Sequence, residues 1–219
     1  DVSSFRLSYQ NVQGNDILPN SRLDKNAVTG NASYKIADNL TASLYATYVN
    51  QETTGKNPTG YHGIMGNFRQ WWATNVDLYD QRDLYFLNRR NNSWNMQGPD
   101  NTAPLYWDNP YFRLYENYVT DQRQRFAGNF SLSYDVTNKI NLMGRVSHDG
   151  YTYMVDERRA VGSLPDGMSI GPAVGNQPSG YAVMNQRRNE ENYDFIATYK
   201  DKFNDNISLN ALIGTNINV

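Results

Sequence analysis

The side chains of this chain with chemistry to offer are two histidines, several paired carboxylates and a run of tryptophans, and their spacing decides what they can do. His62 and His148 lie far apart, and neither sits in a His-Glu-x-x-His run or any comparable ligand spacing, so metal-assisted hydrolysis has no frame here. Asp149 follows His148 directly, but no nucleophile or third orienting member accompanies the pair. Asp156-Glu157 and Glu190-Glu191 stand at expected strand ends and read as solvated rims rather than an acid-base dyad. Asp77, Asp80 and Asp83 share one loop, as calcium ligands do, yet the glycine and closing glutamate of an EF-hand loop are missing. The stretch Gly171–Gly175 lacks the Gly-Lys-Ser/Thr ending of a phosphate loop, and the chain has no cysteine. The sequence points away from an enzyme, and no metal or cofactor is expected.

What remains is binding by aromatic side chains. Trp71, Trp72, Trp94, Tyr106, Trp107, Tyr111 and Phe112 fall in one stretch, with Arg69, Arg82, Asp83, Arg89 and Arg90 among them. Such a set can stack on sugar rings or bury peptide side chains. It can equally pack a long loop against itself or against a partner, because an ordered loop of this length needs its own core. The stretch runs from about Gln51 to Asp121 and holds every tryptophan of the chain. A short helix is expected within Asn67–Leu87, where Phe68, Trp71, Trp72 and Asn75 could share a face. A second long connection, about Asp156–Asn185, is rich in Gly and Pro.

The elements that must carry these loops are strands. Around Arg125–Arg145, Phe126, Gly128, Phe130, Leu132 and Tyr134 alternate with Ala127, Asn129, Ser131 and Ser133. That is one greasy side and one small, polar side. Turn formers at Asp135–Lys139 lead into a second alternating run to about Val155, so the unit is a hairpin. Further strands are expected at about Ser3–Val12, Asn26–Ile36, Leu40–Val49, Arg188–Lys200 and from Ile207 to Ile217, giving an all-β, antiparallel chain of about seven strands. Leu44 and Leu209 join Phe126, Phe130, Leu132 and Tyr134 on the greasy side.

Three copies of one plan recur: a Tyr just before a short turn (Tyr34, Tyr134, Tyr199) and an apolar residue just after it (Leu40, Ile140, Ile207). Short turns alternate with longer connections, so in an up-and-down sheet every short turn shares one rim and every long loop the other. Membrane-spanning β-barrels have this asymmetry, and they put tyrosines where the wall leaves lipid. A mean hydropathy of -0.74 is compatible with such a wall, which needs only alternate residues apolar. No apolar run approaches the roughly 18 residues of a transmembrane helix, and a net charge of -2 supplies no basic field for nucleic acid. Seven strands are too few, and odd in number, for a closed barrel, so the chain is expected to be part of a larger wall whose edge strands pair elsewhere.

The runs Leu7-Ser-Tyr-Gln-Asn11, Gly14, Ile17-Leu-Pro-Asn-Ser21, Asn31-Ala-Ser-Tyr-Lys35 and Asp38-Asn-Leu-Thr41 resemble the barrel region of the SusC/RagA family, TonB-dependent transporters of the Bacteroidetes outer membrane. The resemblance is specific over the first fifty residues or so and one of strand texture beyond them. It implies a barrel of about 22 strands closed by a plug, integral to the bacterial outer membrane and paired with a SusD-like surface lipoprotein. It further implies nutrient import, of oligosaccharide or peptide, driven by TonB through a plug and N-terminal domains that are absent from this stretch. No ligand-binding residue carries over, because ligand contacts lie in loops that vary. Two rival readings stand beside it: a passive porin or surface-binding barrel, and a soluble extracellular glycan-binding β-domain.

Overall fold

The structure is a computed structural model that describes residues 3–56, 63–164 and 179–219. The chain order is β1 (Ser3–Asn15), β2 (Arg22–Ala37), β3 (Leu40–Thr54), α1 (Ile64–Gln70), α2 (Leu78–Asn88), β4 (Met96–Gly98), β5 (Asn101–Pro104) and α3 (Pro110–Glu116). The hairpin β6 (Val119–Asp135) and β7 (Ile140–Arg159) follows, and then β8 (Gly180–Asn204) and β9 (Ile207–Asn218). Seven of the strands form one open antiparallel sheet in the order β1-β2-β3-β6-β7-β8-β9, and β4 and β5 pair separately. The expected seven-strand meander is therefore the observed one.

Direct cross-strand partners share a face, so the register sorts the side chains. One face carries Phe5, Leu7 and Tyr9 on β1, Leu44 and Tyr48 on β3, Phe126, Phe130, Leu132 and Tyr134 on β6, and Tyr193 and Phe195 on β8. Among the described residues no second layer covers this face: Phe130 is 46% and Leu209 44% exposed. The opposite face is stitched by polar side chains. Thr29 and Thr47 hydroxyls lie 2.8 Å apart, Asn141 donates to Ser133 Oγ at 2.8 Å, and Arg145 donates to Asp194 at 2.8 Å.

The same parity separates residues that are neighbours only in sequence. His148 lies on the apolar side, its ring 6.0 Å from that of Phe126. Asp149 lies on the polar side, forked to Arg125, so the two cannot act on one substrate. Glu190 and Glu191 split between the faces in the same way.

Strand ends differ from the sequence reading. Hydrogen-bonded pairing continues to Thr54 on β3, starts at Val119 on β6, reaches Arg159 on β7 and begins at Gly180 on β8. The cause lies in the rows above Tyr9: Asn11, Asn26, Asn50, Gln124, Thr152 and Arg187, then Gln13, Asp24, Glu52, Gln122, Met154 and Asn185, stand on the face that is apolar lower down, and Met154 is the one apolar residue among them. The formerly apolar face turns polar there while the other carries a mixture such as Val12, Lys25, Gln51 and Arg123, so the period-two signal ends while the backbone ladder does not.

Candidate functional site: a sloping apolar belt and an aromatic outer loop

The apolar belt has two aromatic borders. The row of Tyr9 crosses the sheet through Val28, Tyr48, Phe126 and Gly150 to Asn189, whereas the aromatic on β8 is Tyr193, four residues nearer the short turns. The row of Tyr34 runs through Ala42, Leu132 and Gly144 to Phe195; the lower border drops two residues to Tyr134 on β6 and four to Tyr199 on β8. Four residues of about 3.3 Å over four or five strand spacings of about 4.8 Å give a slope of about 30–35°. A planar slab crossed by tilted strands produces this pattern, and membrane barrels tilt their strands by about 35–45°. From Phe126 to Tyr134, about 26 Å of strand spans about 22 Å along the slab normal, near the roughly 25 Å apolar band of such barrels.

At the other end of the wall, residues 63–118 fold into a small unit of their own. Asp77 caps α2 by accepting from Tyr79 N at 2.8 Å, which restarts helical structure after α1. The single helix expected within 67–87 is therefore two helices. Trp71 ends α1 with a non-helical backbone, and the Trp71 and Trp72 amides both donate to Asn67 O. Of the expected shared face, Phe68 and Trp72 do meet, at 5.0 Å, and Asn75 lies outside both helices. Asp80 sits in the first turn of α2 and Asp83 pairs with Arg82 at 2.8 Å, so these aspartates serve the helix rather than converging.

The keystone is Asn109, fully buried ahead of Pro110. Its Oδ1 accepts from Tyr111 N (2.9 Å) and Phe112 N (3.2 Å), capping α3. Its Nδ2 donates to Gln81 O and Asn92 O, each at 2.8 Å, which ties α3 to α2 and to the segment before β4. The buried apolar residues of the same unit are Ile64, Tyr85, Phe112 and Leu114. Tyr85 O–H donates to Glu116 at 2.7 Å, and burial followed by that bond holds its phenol above the usual tyrosine range. The loop is moored by Asn20 Nδ2 to Leu114 O (2.9 Å), by Lys56 to Asp121 (3.2 Å), and by Ala160 N and Ser163 Oγ donating to Asn117 Oδ1 (2.8 and 2.9 Å).

The aromatic candidates divide accordingly. Trp72 and Trp94 pack at 5.0 Å, Trp71 stacks on Trp107 at 6.3 Å, and Phe112 is 4% exposed. Tyr111 leans on Phe86 at 6.2 Å. Arg89 ends α2 in the left-handed region, with its guanidinium 4.8 Å over the Phe86 ring and its Nη1 donating to Tyr85 Oη at 2.8 Å. Solvent reaches chiefly Tyr106, 72% exposed, and Trp71, 47% exposed. The candidates thus form the loop's own core and leave two rings at its surface. His62 and Gly171–Gly175 lie outside the described residues.

Sequence reasoning passed over Asn109, whose signal was available: an Asn-Pro step opening a run of aromatics is a helix start. It also passed over a charged cleft on the polar face, formed by Arg123, Arg125, Asp149, Tyr151, Arg188 and Glu190 around about 240 Å³. The signal there is parity alone, since these residues are scattered over three strands.

Neither protein-family models nor curated proteins match this sequence. Among solved structures, the chain is similar to the RagAB peptide importer in its closed-closed state, at 16% identity and a TM-score of 0.63, over 98% of this chain and 22% of that one. It is similar also to the RagAB peptide transporter (13%, 0.61, 99% and 22%) and to the importer in its open-open state (14%, 0.61, 98% and 22%). The chain spans about a fifth of the length of each. At such identities what is shared is the fold: an open antiparallel sheet that superposes on a segment of the RagAB chains.

Proposed function

We propose that this chain is part of the wall and outer loops of a TonB-dependent importer in a bacterial outer membrane. The observation that carries the reading is the belt: an uncovered apolar face about 22 Å tall whose two aromatic borders slope together. A protein interior covers such a face with a second layer, whereas hydrocarbon covers it without one. The long loops then face outward, and the polar face lines a passage. The likeness to the RagAB peptide importers favours a peptide cargo, the SusC/RagA resemblance of the first fifty residues or so keeps an oligosaccharide beside it, and by that resemblance a SusD-like lipoprotein rests on the loop unit carrying Trp71 and Tyr106. TonB acts through a plug supplied by other parts of the protein.

The test uses the full-length protein. Solubility only in detergent, insertion into vesicles, and cargo uptake lost when TonB is removed are the expected results. A protein that stays monodisperse in buffer without detergent overturns the membrane reading. Uptake that persists without TonB replaces active import by a passive pore.

A further inference from the structure

We infer that the inner face of the wall holds a carboxylate-binding site built on Arg123 and Arg188, in the cleft floored by Tyr151. The inference rests on the reading above for which side is the passage. Arg125, Tyr151 and Arg188 are direct partners on β6, β7 and β8, so they form one row, with Arg125 and Arg188 about 10 Å apart at the backbone. Arg123 stands two residues farther out on the same face of β6, within reach of the same cleft.

The three guanidinium groups are used differently. Arg125 is locked in a two-point fork on Asp149, one arm of it at 2.8 Å. Arg123 makes no ion pair among the described residues; its guanidinium carbon lies over the Tyr151 ring, 4.6 Å from the centroid. A guanidinium held over a ring by cation–π attraction still has N–H donors that no resident carboxylate uses, and two of them can meet a carboxylate in a fork. Arg188 is 65% exposed and reaches Glu190 on its own strand only at 3.5 Å. That contact is loose enough for Arg188 to turn toward a second anion.

Charge selects the ligand class. Three arginines against Asp149 and Glu190 leave a net charge of +1 around the cleft. That balance suits one carboxylate, while the two resident carboxylates repel a phosphate dianion. The cleft lies one residue above Phe126, the outer aromatic border on β6, and opens on the passage side. A solute entering from outside meets it at the level where the belt begins. The shared chemistry is a carboxylate, carried either by a uronic acid of a glycan or by the end or an acidic side chain of a peptide.

The experiment is titration calorimetry on the full-length protein in detergent with four probes: trigalacturonate, its methyl ester, an acidic tripeptide, and the tripeptide with all carboxylates amidated. One of the two acids is expected to bind, which identifies the source, with its neutral counterpart weaker by at least about tenfold. Arg123→Gln and Arg188→Gln should each weaken the acid at least about tenfold, and Arg123→Lys should recover only part of the loss, because ammonium keeps charge but not the planar fork of donors. Binding of neither acid, equal binding of acid and neutral probe, or wild-type affinity in Arg123→Gln overturns the site. If Arg123→Gln fails to fold, as read by heat-modifiable gel mobility, Arg188→Gln and the neutral probes decide. A protein that needs detergent yet ignores the carboxylate refutes this site and leaves the membrane reading standing.

Discussion

Asn109→Ala should open the outer loop without loosening the wall. The lost cap on α3 costs about 1 kcal/mol. Gln81 O lies inside α2 and retains its helical partner, so losing the Asn109 donor costs about 0.5–1 kcal/mol there. Asn92 O is left without that donor beside a fully buried site, at about 1–2 kcal/mol. The sum is about 3 kcal/mol, so the open loop becomes about 100-fold more populated. Asn109→Ser retains a capping oxygen and should cost about 1 kcal/mol less. Native-state hydrogen exchange on the full-length protein in detergent reads both at once. Peptides from 78–116 should exchange about 100-fold faster in the alanine variant, while peptides from 126–146 remain at wild-type rates. Loop exchange within twofold of wild type, or equal acceleration in β6, would refute the keystone role.

Three further outcomes follow from other parts of the molecule. Phe130→Arg, at the middle of the belt, should cost about 2–4 kcal/mol in equilibrium folding into vesicles, and Ser131→Arg on the other face close to nothing; equal costs would mean the faces are misassigned. Gly55→Ala places a Cβ 1.8 Å from Asn20 O at a φ of +68°, a backbone clash with no flexible partner, so the loop base should shift and limited proteolysis near residue 55 should speed up. Unchanged cleavage would count against that close approach. Tyr85 has a raised folded-state pKa, so the stability its neutral phenol contributes is fully present below the ordinary value of about 10 and is lost as pH rises beyond it. The near-ultraviolet signal of the tryptophans should therefore decay above about pH 10 in wild type but not with that midpoint in Tyr85→Phe.

The strands were legible wherever one face meets a different solvent from the other. From Phe126 to Tyr134 the alternation is strict, and the pairing follows it residue by residue. Above Tyr9 the face that is apolar lower down carries Asn, Gln, Asp and Glu while the other face is mixed, so the alternation is lost where the ladder still runs. The outer loop was legible as aromatic but not as two helices, because the break at Trp71 comes from backbone bonds to Asn67 and a fresh cap at Asp77. The cleft could not be read at all: Arg123, Tyr151 and Arg188 come together only through the register of three strands.

The continuation of the ladder past the belt also has a mechanical consequence. On β8, the 13 residues from Gly180 to Asn192 amount to about 40 Å of paired strand above the outer aromatic border at Tyr193. A bilayer does not require that length, and an isolated hairpin of it would be marginal in water. Within the sheet it is supported by β7 along the whole run. The moorings of the loop unit, Lys56 to Asp121 and Asn117 to Ala160 and Ser163, lie at the outer ends of β3, β6 and β7. Raising those attachment points on paired strands fixes the loop core relative to the cleft, which tethers of unpaired chain would not do. Shortening the β7 and β8 extensions together by two residue pairs should therefore preserve the belt and insertion into vesicles while uncoupling the loop from the wall, seen as faster exchange in residues 160–164 and 117.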